Sequence, residues 1–77
     1  MTIAFVLINT ELGSEEEVKK KLMDHEEVKE AYIVYGVYDL IVKLEAESMD
    51  QIKKTVSWKI RRMEKVRSTL TMIVMEG

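Results

Sequence analysis

The sequence has no cysteine, no proline, three glycines and one histidine, and its only side-chain amides are Asn9 and Gln51. Without cysteine there is no disulfide framework, iron–sulfur cluster, thiolate zinc site or thiol nucleophile. Charge of one sign is also lacking. Fourteen acids face twelve lysines and arginines for a net −2, which excludes the strongly basic footprint of a free-standing nucleic-acid binder. Long hydrophobic runs are missing too. Ile3–Ile8 and Ala31–Tyr35 are far too short to span a bilayer, and no cleavable targeting segment is visible. A cytoplasmic protein with no membrane contact is expected. What is present suits a folded chain: 47% hydrophobic and 34% charged residues over 77 positions, enough for one domain, 1–77, and no more. Abundant Lys and Glu beside so few amides lean towards a thermophile, while six methionines lean the other way.

Thr2 to Asn9 (TIAFVLIN) is of strand length and apolar at both parities, with Ile3, Phe5 and Leu7 on one side and Ala4, Val6 and Ile8 on the other. Such a strand is expected to be buried on both faces. After a loop at Glu11–Gly13, Ser14-Glu15-Glu16-Glu17 reads as a capping box, the Ser14 hydroxyl accepting from the Glu17 N–H. The helix it opens runs from 15 to 24 with Val18 and Leu22 inward, acids in its first turn and Lys19–Lys21 after them. A second strand, about 28 to 35, alternates Ala31, Ile33 and Tyr35 with Tyr32 and Val34. A third, 38 to 45, sets Leu40, Val42 and Leu44 against Ile41, Lys43 and Glu45. The short link at Gly36 makes these two an antiparallel hairpin. Ser48 repeats the capping signal before a helix over about 49–63, whose stripe is Ile52, Val56, Ile60 and Met63. Val66 to Glu76 completes the chain as a fourth strand.

The order β-α-β-β-α-β, with right-handed crossovers, predicts an α+β, ferredoxin-like fold: a four-stranded antiparallel sheet with two helices on one face. Two helices cover only that face. The first and last strands are apolar on the other as well, and a chain this short hides only ~60–65% of its unfolded surface. The uncovered apolar face, on the order of several hundred Å², predicts that subunits associate through the sheet face or an edge strand. Trp58 falls opposite the buried stripe of the second helix, either as a partly covered surface residue or as a second contact between dimers. Lys59, at the stripe edge, is expected to snorkel.

One segment looks chemical: Val34-Tyr35-Gly36-Val37-Tyr38-Asp39-Leu40. Read structurally, Gly36 supplies a positive φ, Tyr38 fills a strand, and Asp39 bonds its own turn. Read functionally, turn N–H groups and the Asp39 carboxylate form a small dipolar site suited to a zwitterion, the N–H groups meeting a carboxylate and Asp39 an ammonium. The basic stretch Lys59–Arg67 reads as a solvated helix end whose cations favour the dipole. Tyr32 and Tyr35 alone make a poor stacking platform for nucleic acid. His25, between Asp24 and Glu26, reads as a helix C-terminal cap. No nucleophile–base set, phosphate loop or paired-histidine spacing is present, so an enzyme is not expected and no cofactor or metal is implied.

The Gly36-Val37-Tyr38-Asp39 turn, followed by Val66 and Thr69-Leu70-Thr71, resembles the effector domain of the leucine-responsive/asparagine regulator (Lrp/AsnC) family over essentially the whole chain. The resemblance implies dimers formed through the sheets, assembly into octamer-like rings, and a free amino-acid effector bound between dimers. It implies that Gly36, Val37, Tyr38 and Asp39 hold the effector's main-chain groups. Thr69, Leu70 and Thr71 would contribute from the same or a neighbouring subunit. Full-length members carry an N-terminal helix-turn-helix, whereas strand 1 here starts at Thr2. The resemblance is therefore to a stand-alone effector domain with no direct DNA binding, acting alone or by co-assembly with full-length relatives. Two alternatives stay open: a small dimeric α+β-barrel enzyme, by analogy of fold only, and a purely structural assembly partner.

Overall fold

A computed structural model describes all 77 residues. The elements are β1 (Thr2–Thr10), α1 (Glu15–Leu22), β2 (Val28–Ile33), β3 (Leu40–Ala46), α2 (Met49–Lys54), a π-helical continuation over Thr55–Ile60, and β4 (Val66–Ile73). The sheet order is β2-β3-β1-β4, with every pairing antiparallel. This is the ferredoxin-like βαββαβ arrangement expected, with β2 and β4 as the edges.

The period-2 pattern decides which way each strand faces. Ala4, Val6 and Ile8 pair with Leu44, Val42 and Leu40, and all six are fully buried. They meet Val18 and Leu22 of α1 and Ile52, Val56 and Ile60 of the second helix in one apolar core. Each of the Val, Leu and Ile side chains contributes roughly 1.5–3 kcal/mol on leaving water. In β2 both Val28 and Ala31 point inward, three positions apart, because the register slips between Val28 and Glu30. Beyond the bulge the expected alternation holds, with Ala31 and Ile33 opposite Val42 and Leu40, but only Ala31 is buried, while Ile33 at the end of this edge strand and Tyr35 past it are exposed.

Burial of β1 on both faces does not hold within one chain. Its second parity lies on the face no helix covers, where Phe5 pairs with Met72 and Leu7 with Leu70. Phe5, Leu70 and Met72 expose 36%, 46% and 49% of their surface. Across β3 and β2 the same face turns polar. Lys43 Nζ lies 3.6 Å from Glu30 and 3.8 Å from Glu45, and the Tyr32 hydroxyl donates to Glu30. That bond first, and Lys43 after it, holds the Glu30 carboxyl below its ordinary range, while the same bond and the Glu30 charge raise the Tyr32 phenol. The open face thus has an apolar half on β1–β4 and a charged half on β2–β3.

Several local expectations need correcting. Ser14 is the N-cap of α1 but its hydroxyl caps nothing. Its φ,ψ of −102°, 6° is not the extended geometry that aims a side chain back at the first turn. Ser48, extended at −142°, 160°, does accept from the Gln51 N–H at 3.2 Å. α1 stops at Leu22 rather than 24, since the Asp24 and His25 N–H groups bond three residues back and tighten the last turn. The His25 side chain caps no carbonyl; its backbone closes that turn. Gly36 has no positive φ. Only Gly13 has, at +81°, because six residues between β2 and β3 reverse the chain without a left-handed one. The second helix widens after Lys54: the Thr55 hydroxyl donates to the Gln51 carbonyl at 2.9 Å, and the Arg61 N–H reaches five residues back to Val56. The widening keeps Val56 and Ile60 buried, with Met63 packed against the core. Trp58 is 65% exposed, with the Arg62 guanidinium 5.1 Å from its ring centre. Lys59 bonds the Glu27 carboxylate at 3.0 and 3.2 Å. β4 ends at Ile73, three residues short of Glu76.

Candidate functional site

The β2–β3 connection is closed by the Val34 N–H donating to the Asp39 carbonyl, and tied to the sheet by the Asp39 N–H donating to Ile8 O, both at 2.9 Å. Between these bonds the N–H groups of Tyr35, Gly36, Val37 and Tyr38 donate to nothing in the chain. Successive free N–H groups make a concentration of positive partial charge suited to an anion. Tyr35 and Val37 are exposed and Tyr38 is half-buried.

Asp39 does not bond its own turn. Its Oδ2 accepts from the Thr10 N–H at 2.9 Å and more weakly from the Thr10 hydroxyl at 3.4 Å. Thr10 is buried, and the β1–β4 register shifts between Asn9 and Thr10. That bulge takes the Thr10 N–H out of the ladder and turns it towards the carboxylate. No hydrogen bond within the chain uses Asp39 Oδ1. A half-buried carboxylate with one oxygen fixed and one free is an oriented acceptor for a cationic group.

Asp39 borders a shallow cleft of about 460 Å³ lined by Asn9, Thr10, Asp39, Arg67 and Ser68. Arg67 and Ser68 also line a neighbouring pocket of about 480 Å³, with Arg61, Thr69, Thr71 and two valines. Thr69 and Thr71 pair with Ile8 and Val6, so they face the helix side of the sheet beside the π-helical segment.

Of the expected residues, Asp39 borders the first cleft, and Thr69 and Thr71 the second pocket. Gly36 and Val37 sit at the exposed hairpin tip and line neither. Leu70, opposite Leu7, is on the uncovered sheet face, away from both threonines. His25 lines neither pocket. Asn9, Thr10, Ser68, Arg61 and Arg67 line these pockets without any motif in the sequence that marks them as site residues. Thr10 becomes visible only through the bulge, and Arg61 and Arg67 only once β4 is laid beside the second helix.

Comparison with known proteins gives a consistent answer. The sequence profile of the Lrp/AsnC ligand binding domain matches residues 3–77. The HTH-type transcriptional regulator FL11 of Pyrococcus furiosus is 32% identical over 74 residues, 96% of this chain but 48% of that protein. The chain thus spans about half the length of the curated relatives it matches. The crystal structure of FFRP-DM1 superposes with a TM-score of 0.93 at 47% identity, covering 96% of this chain and 99% of the other. The transcriptional regulator NMB0573 of Neisseria meningitidis, solved as an L-Met complex, shares the fold at TM-score 0.88 and 14% identity, over 97% of this chain and 50% of that one.

Proposed function

The chain belongs to the family of Lrp/AsnC ligand-binding domains, and on that premise we propose that it senses a free amino acid where copies of it meet. The observation that carries the reading is the divided carboxylate of Asp39: Oδ2 tied to Thr10, Oδ1 free, beside four unengaged N–H groups at the hairpin tip. In this reading the ammonium rests on Asp39, and the α-carboxylate meets the N–H groups of Gly36, Val37 and Tyr38. The shallow, open cleft does not enclose a ligand alone, so a second copy completes it. Leu70, on the sheet face, reaches the effector only from a neighbouring subunit, whereas Thr69 and Thr71 approach from the helix side. An L-Met complex in a regulator of the same fold points to the same ligand class.

The proposed assembly starts from a dimer in which a second copy covers Phe5, Leu7, Leu70 and Met72, and extends to higher oligomers. Relatives about twice as long are HTH-type transcriptional regulators, and we propose co-assembly with such a protein as the route from amino-acid level to transcription. The module then acts by binding, not by catalysis. Calorimetry with each of the twenty amino acids at millimolar concentration tests the ligand reading, and no heat with any of them refutes it. Asp39→Asn is the sharper variant. It leaves Thr10 an acceptor but removes the charge, and should weaken binding by roughly 1.5–3 kcal/mol. An unchanged affinity removes Asp39 from the site.

A further inference from the structure

Five cations crowd the segment from Lys59 to Arg67, and the fold gives partners to three of them. Lys59 pairs with Glu27 at 3.0 Å, Lys65 with Glu11 at 3.8 Å, and Arg62 lies over the Trp58 ring. Arg61 and Arg67 form no ion pair and no side-chain hydrogen bond. These two line one pocket, the cavity of about 480 Å³ between the π-helical segment and β4. Its remaining polar lining is the hydroxyls of Ser68, Thr69 and Thr71, and no acidic side chain lines it. Two guanidiniums and three hydroxyls offer many donors and no countercharge, which is the complement of a carboxylate. Arg67 and Ser68 form the wall shared with the cleft that Asp39 borders. A group entering this pocket is therefore next to a group held at Asp39.

We infer that the pocket receives the side-chain carboxylate of an acidic amino acid, aspartate or glutamate, with Arg67 and Arg61 as the residues that select it. This rests on the reading that Asp39 holds an amino-acid ammonium, and adds the side-chain class. The physical argument is one of desolvation. Covering the site with a ligand or a second copy strips water from two like charges, a cost that falls only when an anion arrives with good hydrogen-bond geometry. A neutral amide of the same shape fills the space but leaves both guanidiniums without a countercharge. Discrimination between acid and amide follows from that difference.

Calorimetry with glutamate, aspartate, glutamine and asparagine, on the wild-type protein and on R67Q, R61Q and R67K, tests the assignment. Glutamate or aspartate should bind at least about tenfold tighter than its amide, and the ratio should shrink in high salt. R67Q should bring the ratio close to one, R61Q should lower it, and R67K should restore part of it. Amides that bind as tightly as the acids overturn the assignment and leave the amino-acid reading standing. So does an R67Q variant that weakens acid and amide equally. No binding by any amino acid removes both. Inorganic phosphate serves as a further probe. Phosphate heat that glutamate cannot displace reassigns the pocket to an independent oxyanion and overturns the side-chain role, whereas competition with glutamate supports it.

Discussion

Met72 sits at the middle of the apolar half of the open sheet face, paired with Phe5 and beside the Leu7–Leu70 pair. Half of its surface is still in contact with water in the single chain. Covering a Met side chain completely is worth roughly 1.5–3 kcal/mol, so a second copy has about half of that still to recover at Met72. A two-fold interface presents the residue twice. Met72→Ala should therefore cost the dimer about 1.5–3 kcal/mol, raising its dissociation constant roughly ten- to hundredfold. Met72→Glu buries two carboxylates as well and should raise it beyond about a thousandfold. The single subunit should lose at most about 0.7–1.5 kcal/mol, the half of that burial already made within the chain. Sedimentation velocity across a concentration series reads the dissociation constant, and circular dichroism confirms the fold. Lys20→Glu, on the outer side of α1, is the control and should leave association unchanged. A Met72→Glu protein that associates like the wild type refutes the sheet face as the interface.

Four further outcomes can be measured by unfolding or by circular dichroism. Ser48→Ala should cost about 1 kcal/mol through loss of its bond to the Gln51 N–H, while Ser14→Ala, whose hydroxyl caps nothing, should cost less than about half of that; equal losses would contradict the two cap geometries. Asp39→Ala leaves the Thr10 N–H without its acceptor and should destabilise by roughly 1–3 kcal/mol, whereas Asp39→Asn should retain most of that stability. Glu27 is held below its ordinary value of 4.5, first by its own backbone amide and then by Lys59. The unfolded chain takes up that proton at higher pH than the folded one. The stabilisation is therefore whole above about pH 4.5 and fades as pH falls through the lowered folded value. Glu27→Gln should flatten this acid limb, and an unchanged limb argues against the Glu27–Lys59 pairing. Thr55→Val removes the hydroxyl bond to Gln51 O and should raise helical content by circular dichroism as the segment relaxes towards α geometry.

The fold was legible because its signals are periodic and redundant. Leu40, Val42 and Leu44 alternate against Ile41, Lys43 and Glu45, and the burial follows that parity. The Ile52, Val56, Ile60 stripe survives even the switch to π geometry. Irregularities were not legible. The bulges at Val28/Glu30 and Asn9/Thr10 are decided by how strands pair, β2 with its neighbour β3 and β1 with the distant β4, and no residue type announces them. The failed cap at Ser14 shows the same limit, because a Ser followed by acids specifies the donor and acceptor but not the φ,ψ that aligns them. The candidate site divides along this line. Asp39 stood out as a carboxylate in a turn. Its partner Thr10 and its neighbour Arg67 belong to strand ends that only the folded register brings beside it.

The bond between Asp39 and the displaced backbone of Thr10 has a thermodynamic consequence for recognition. A free aspartate on a loop samples several rotamers and must surrender that freedom when it meets a partner. Here the side chain is immobilised as the sheet closes, and its remaining oxygen already points in one direction before any cation arrives. Docking then forfeits little torsional entropy at this residue. An irregularity in the first strand is, in effect, preorganisation for whatever the hairpin greets.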